Sequence, residues 1–206
     1  MTPTTFLPLA YLPGASGSAA VWRPIASRLA ARRSPIFCDY PGLGSDAASD
    51  DISSIDELTQ RVLAELPPCC DLAALSMGAA LALRIALDHP DRIRRLVLVA
   101  AAGGVDVLAL GGVDWREAFE RRRPDAPRWL VEDRADFSAR LGLISAPTLL
   151  IFGDQDLIAP AAVGHHLSAR LPNAKLEIIG GATHDIEEEY PDLLASLIEA
   201  HLRGAP

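Results

Sequence analysis

Three short stretches of this chain carry side chains that could perform acyl-transfer chemistry together. Leu72-Ala73-Ala74-Leu75-Ser76-Met77-Gly78 runs from an apolar, strand-like segment straight into an Ala/Leu-rich helical one. That is the setting of a nucleophile elbow, G-x-S-x-G, with Ala74 at the first glycine position. So tight a turn needs small neighbours, because backbone and helix approach closely, and it lifts the Ser76 hydroxyl clear of a sheet. A helix starting near Met77 would offer amide N–H groups and its positive dipole end to an oxyanion. The same pentapeptide also fits an ordinary strand-to-helix turn with a capping serine. Further on, Gly153-Asp154-Gln155-Asp156-Leu157-Ile158-Ala159-Pro160 places two carboxylates beyond a strand-like run, and Gly180-Gly181-Ala182-Thr183-His184-Asp185 places an imidazole after the last one. Serine is a weak nucleophile at neutral pH. An imidazole that takes its proton, and a carboxylate that orients the imidazole and stabilises its charged form, would make it attack a carbonyl.

Positioning these groups is the task of the elements around them. Short apolar runs at Leu9–Leu12, Ile36–Tyr40, Leu72–Leu75, Leu96–Ala100, Thr148–Phe152 and Leu176–Ile179 alternate with helix-period segments near 19–32, 52–65, 77–88, 160–171 and 187–202. Most of the runs are continuously apolar, as parallel strands covered on both faces are. Pro24 and Pro160 stand at helix starts, Asp51 or Ser53 can cap the second helix, and Gly204 follows the last. The expectation is an α/β fold with a doubly wound, mostly parallel sheet of about six strands, in a single domain over 1–206. Ser76, the two carboxylates and His184 then follow different strands at one edge of that sheet. Leu12-Pro13-Gly14-Ala15-Ser16-Gly17 forms a loop there whose amides could face Ser76, while Asp39-Tyr40-Pro41-Gly42-Leu43-Gly44 reads as a structural turn. The alternation breaks between residues 103 and 142. There Asp114 can cap a helix Trp115–Arg122 that Pro124 ends, and a second helix is expected over Arg128–Leu141. An insertion beyond a strand's carboxyl end lies where open α/β sheets bind ligands, so 103–142 reads as a small cap.

Composition removes several function classes. A net charge of −8 and only 5% aromatic residues argue against a nucleic-acid binder, which would carry a basic face and stacking surface. Cys38, Cys69 and Cys70 show no metal-ligand spacing, so no metal or cofactor is expected, and an odd, poorly spaced set suits a reducing compartment. The first residues have no basic start and no apolar run long enough to export or span, so a cytoplasmic protein without a membrane segment is expected.

Taken together, LPGASGS, DYPGLG, ALSMG, GDQDLIAP and GATHD resemble the α/β-hydrolase superfamily, and specifically its small serine esterase branch, which includes the pimeloyl-carrier-protein methyl ester esterases. The resemblance implies Ser76 as nucleophile, Asp156 as the acid and His184 as the base, with backbone N–H groups of Ala15 and Met77 as the oxyanion hole. Asp156 is preferred over Asp154 because it fits the family spacing G-x-x-D-x-x-x-P from Gly153 to Pro160. Three departures stand out. Pro13 replaces a histidine that usually opens the first loop, Met1–Phe6 leaves no room for two further strands, and the cap is short. The truncated N-terminus would leave Ile36–Tyr40 exposed at a sheet edge, open to pairing with another chain.

The function expected on this basis is hydrolysis of a small-molecule carboxylic ester or thioester through an acyl-enzyme. On the same three residues, relatives also cleave C–C bonds or eliminate, and a non-catalytic ligand-binding protein would keep the pocket alone. Val107, Leu108, Trp115, Phe119 and Trp129 could line an acyl pocket or form the packing face of the cap. Arg121-Arg122-Arg123, with Arg128 and Arg134, reads as a solvated helix face or, following the resemblance, as a dock for an acidic acyl carrier protein. His165, His166, His89 and His201 read as surface or helix-end residues.

Overall fold

The computed structural model describes residues 7–29, 33–43 and 52–204. Six strands form one all-parallel sheet: β1 (Leu9–Leu12), β2 (Pro35–Phe37), β3 (Cys70–Leu75), β4 (Ile93–Val99), β5 (Thr148–Gly153) and β6 (Ala174–Ile179), in the order β2-β1-β3-β4-β5-β6. Among the described residues eight α-helices accompany them: α1 (Arg23–Leu29), α2 (Ile55–Glu65), α3 (Gly78–Asp88), α4 (Arg116–Arg122), α5 (Arg128–Glu132), α6 (Ala161–Ser168), α7 (Ile186–Glu189) and α8 (Pro191–Arg203).

The central strands look uniformly apolar in sequence, yet successive residues serve different layers, as the two-residue period of a strand demands. Leu9, Tyr11, Ala73, Leu75, Val97, Val99, Leu149 and Ile151 pack in the core shared with α1 and α8. Ala10, Leu12, Leu72, Ala74, Leu96, Leu98, Leu150 and Phe152 pack in the other, with α2, α3 and α6. The strand order reverses between β1 and β3, and the crevice at such a reversal is where open α/β sheets place ligands. Both the loop after β1 and the turn after β3 open there.

Several boundaries differ from expectation for identifiable reasons. β2 stops at Phe37 because the chain peels away: the Tyr40 amide donates to the Gly17 carbonyl, and Tyr40 itself is buried. β2 forms one edge of the sheet. β4 starts three residues early, through Arg94 and Arg95, because each finds an acceptor there: Arg94 a buried carboxylate and Arg95 the Gly204 carbonyl at 2.6 Å. Asp71 in β3 is fully buried and accepts from Arg33 (2.7 Å) and Arg94 (2.6 and 2.8 Å), tying the lower end of the sheet to the Leu202 carbonyl of α8. The helix expected from Arg128 ends at Glu132 instead of Leu141. Asp133 and Asp136 accept from the amides of Ala135 and Ser138, two residues on, and these local bonds compete with helix. Pro191 splits the last helix into α7 and α8, since it has no N–H for an interior helical bond. Ser54 rather than Ser53 caps α2, with the Ser53 amide and hydroxyl donating to Glu57. The expected cap Asp51, the turn residue Gly44, helix positions 30–32 and Met1–Phe6 lie outside the described residues.

Two histidines expected to be solvated are not. His166 in α6 is half-buried and shares a 2.8 Å hydrogen bond with Ser138. His201 in α8 is half-buried, and burial, with the Arg95 charge adding to it, pushes its pKa from 6.5 down to about 4. The folded protein therefore holds a neutral imidazole that the unfolded chain protonates first. Stability from this site is complete above pH 6.5 and is lost as pH falls toward 4. His201→Leu should flatten that part of the acid limb, read as a smaller drop in thermal midpoint between pH 7 and 4 than in wild type.

Candidate active site

Ser76 sits where β3 ends and α3 begins, with φ +50°, a left-handed conformation that an L-residue adopts only under constraint. The constraint is visible. Its amide donates to Val99 of β4, and its carbonyl accepts from Ala79 and Ala102, so both sides of the turn are held. Gly78 is required by a close approach: a Cβ there would lie 2.4 Å from the Pro13 carbonyl oxygen. That carbonyl also accepts from Tyr40 Oη at 3.1 Å, which gives the DYPGLG turn its structural task. Ala74, at the first glycine position of the elbow, is fully buried in the α3-side core and is accommodated there.

His184 and Asp156 meet this serine through two loops at the same edge. Gly153 ends β5 so near the later loop that a Cβ would lie 2.1 Å from the Ala182 carbonyl oxygen. Asp154 bridges the same pair of loops, accepting from the Gly181 amide at 2.8 Å. On the far side, Thr183 donates through its amide and hydroxyl to Glu189 of α7. The outcome is a continuous chain: Ser76 Oγ is 2.9 Å from His184 Nε2, and His184 Nδ1 is 2.8 Å from Asp156 Oδ2. The Asp156 side chain is wholly shielded, and its Oδ1 accepts from the amides of Ile158 and Ala159, both at 2.8 Å. A carboxylate is acceptor-only, so the proton of the neutral imidazole belongs on Nδ1. Nε2 is thereby left as an acceptor facing the serine hydroxyl.

Ala15, in the loop after β1, lines the same cavity as the serine, and Met77 follows the serine directly, ahead of α3. Among the described residues neither backbone amide has an acceptor. Gly14 lies directly against the serine, since a Cβ on it would be 3.1 Å from Ser76 Cβ. A cavity of about 470 Å³ opens over Ser76 and His184, walled by Gly14, Ala15, Val21, Trp115, Phe119 and Ile158 among others. Trp115 and Phe119 meet edge to face at 5.5 Å. Val107 and Leu108 line a neighbouring cavity of about 270 Å³ that shares only Trp115 with the first, and Trp129 lines neither. Arg122 and Arg123 reach the Ser76 cavity. Arg121 instead pairs with Glu117 at 2.5 Å, and Arg128 with Glu132 at 3.2 Å, both in the open.

Sequence reasoning missed Val21, Ile158 and Glu187, which also line the Ser76 cavity. The first two carry no signal of function in sequence, being single apolar residues in apolar stretches. Glu187 is hidden within Glu187-Glu188-Glu189, which looks like a solvated run, yet it is buried.

Comparison with known proteins agrees with this architecture. The model of the alpha/beta hydrolase family matches residues 9–143. The chain is similar to the pimeloyl-[acyl-carrier protein] methyl ester esterase of Aeromonas hydrophila, at 27% identity over 93% of each protein. It is also similar to the 2-hydroxy-6-oxononadienedioate/2-hydroxy-6-oxononatrienedioate hydrolase of Cupriavidus pinatubonensis, at 28% identity over 86% of this chain and 79% of that one. Among solved structures, a hydrolase from Pseudomonas aeruginosa superposes with a TM-score of 0.80 at 21% identity, covering 98% of this chain and 91% of the other. With an all-parallel six-stranded sheet and a family match over well more than half of its residues, this chain belongs to the alpha/beta hydrolase family.

Proposed function

We propose that the chain is a carboxylic ester hydrolase that cleaves an ester or thioester through an acyl-enzyme. The observation that carries this reading is the unbroken hydrogen-bond chain from Ser76 Oγ through His184 to a shielded Asp156. Ser76 Oγ attacks the carbonyl carbon as His184 Nε2 takes its proton, and the tetrahedral oxyanion is held by the Ala15 and Met77 amides. Collapse expels the alcohol or thiol, which leaves with the proton returned by His184. Water then repeats the sequence on the acyl-Ser76 bond, releasing an acid and restoring the serine. No metal or cofactor enters these steps. Within a single domain over 1–206, residues 103–142 act as a small cap whose Trp115 and Phe119 cover the acyl group.

The relatives named for an acyl-carrier-protein methyl ester support a carrier-bound substrate, and the exposed Arg121 of α4 and Arg128 of α5 would exchange their own glutamates, Glu117 and Glu132, for those of an acidic carrier. Cys38, Cys69 and Cys70 are free thiols, which suits a reducing cytoplasm. No described helix is long and apolar enough to cross a membrane. A second reading, cleavage of a C–C bond by the same three residues, draws on the match to the dienedioate hydrolase.

Product analysis tests the choice. Hydrolysis of p-nitrophenyl esters and of a carrier-bound methyl ester should give equal amounts of acid and alcohol. Turnover confined to vinylogous diketones would favour the second reading. The double variant Arg121→Glu, Arg128→Glu should raise KM for the carrier-bound ester about ten-fold. It should leave the small ester unchanged, because neither residue lines the cavity.

A further inference from the structure

One wall of the Ser76 cavity carries a group that the mechanism above does not use. Glu187 lies on α7, the short helix that follows the His184 loop, and is only 6% exposed. Its Oε2 is shielded from solvent and, among the described residues, has no hydrogen-bond partner. A carboxyl oxygen buried without a partner in this way is costly, and a protein keeps one where something else satisfies it. The residue lines the same cavity as Ser76 and His184. In the mechanism proposed above, on which this inference rests, His184 returns its proton to the departing alcohol. The leaving group therefore passes along the wall built by the His184 loop and α7.

We propose that Glu187 is a specificity-determining residue whose carboxyl group donates a hydrogen bond to an uncharged acceptor oxygen in the alcohol portion of the substrate. The terminal torsion of a glutamate is broad and roughly two-fold, so either oxygen can turn to a bound ligand without leaving its rotamer. Burial, more than the charges around the group, favours the donor form below neutral pH. Burial, and then the neighbouring Asp185 and Glu188, resist a second negative charge, against a lowering influence from its own backbone amide and from His184, and its pKa is pushed up to about 7. The 19–22 turn packed against α7 contributes no titratable group, and α8 brings Asp192, which pairs with Arg28. Arg122 at the end of α4 and Arg123 just beyond it also line the cavity. Of these, Arg123 donates to the Leu43 carbonyl and lies 3.7 Å from Asp125, while Arg122 bonds the Ala118 carbonyl.

The test compares esters of one acyl group with three alcohols: n-butanol, its near-isostere 2-methoxyethanol, and choline. Wild-type enzyme at pH 6 should favour the methoxyethyl over the butyl ester roughly ten-fold in kcat/KM, the worth of one good hydrogen bond in a dry site. Glu187→Gln keeps a donor and should retain most of that ratio, whereas Glu187→Leu should bring it to one. In wild type the ratio should decline as pH rises through 7, and in Glu187→Gln it should not. A structural role alone would change stability or both rates together and leave the ratios intact. Equal ratios in all three proteins overturn the proposal, as does a preference for the choline ester that Glu187→Gln abolishes. Failure of the mechanism itself looks different: butyl ester turnover would then survive Ser76→Ala, whatever the ratios are.

Discussion

Ser76→Ala should lower kcat/KM for any ester that the wild type hydrolyses by roughly 10⁵- to 10⁶-fold, the loss typical when a triad nucleophile is removed. In the proposed mechanism the remaining rate would come from substrate binding and the Ala15 and Met77 amides, which the substitution leaves in place. A fluorophosphonate probe should label wild-type protein at Ser76 and fail to label the variant. A folded variant that keeps a tenth of its activity, or intact wild type that refuses the probe, would overturn the nucleophile assignment. The position also separates activity from stability. At φ +50° serine carries a backbone cost that glycine does not, so Ser76→Gly should be as inactive as the alanine variant yet melt at a higher temperature.

Asp156→Asn should cost about 10⁴-fold in kcat with little change in fold. The reason lies in how the carboxylate is held. Oδ1 accepts from two amides, Ile158 and Ala159, so an asparagine must place its carbonyl oxygen there and turn its NH₂ toward His184 Nδ1. Facing a donor, Nδ1 becomes the acceptor and the ring proton moves to Nε2. That nitrogen then cannot take the serine proton. Asp154→Asn makes the contrast, because Asp154 bonds Gly181 and Gln155 and lies outside the Ser76–His184 chain. It should lose stability through the loop bridge and far less activity. Steady-state kinetics of the two variants on one ester decide the matter, and equal losses would remove Asp156 from its assigned role.

How much was legible beforehand differs from element to element. The strands were readable because runs such as Leu96–Ala100 and Thr148–Phe152 are too short for helices and bounded by breakers. Their starts were less so: Arg94 and Arg95 look like loop residues until the fold supplies the Asp71 carboxylate to Arg94 and the Gly204 carbonyl to Arg95. In the 103–142 segment the helix expected over Arg128–Leu141 was wrong because aspartate side chains bonding their own following amides compete with helix on nearly equal terms. Local pattern alone does not rank such alternatives. The buried state of Glu187 was beyond reach for a related cause, since burial belongs to the assembled wall and not to the Glu-Glu-Glu run.

From the amino-acid sequence alone came the layered α/β architecture and the order Ser, Asp, His, because apolar periodicity and glycine-marked turns are local properties written along the chain. The choice of Asp156 over Asp154 rested on family spacing and not on local physics, since the two stand two residues apart with the same chemistry. Only the tertiary structure turned one toward His184 and the other toward Gly181. It did so because contacts between residues more than a hundred positions apart, such as Ser76 with His184, depend on how β3, β4, β5 and β6 are laid side by side in the sheet.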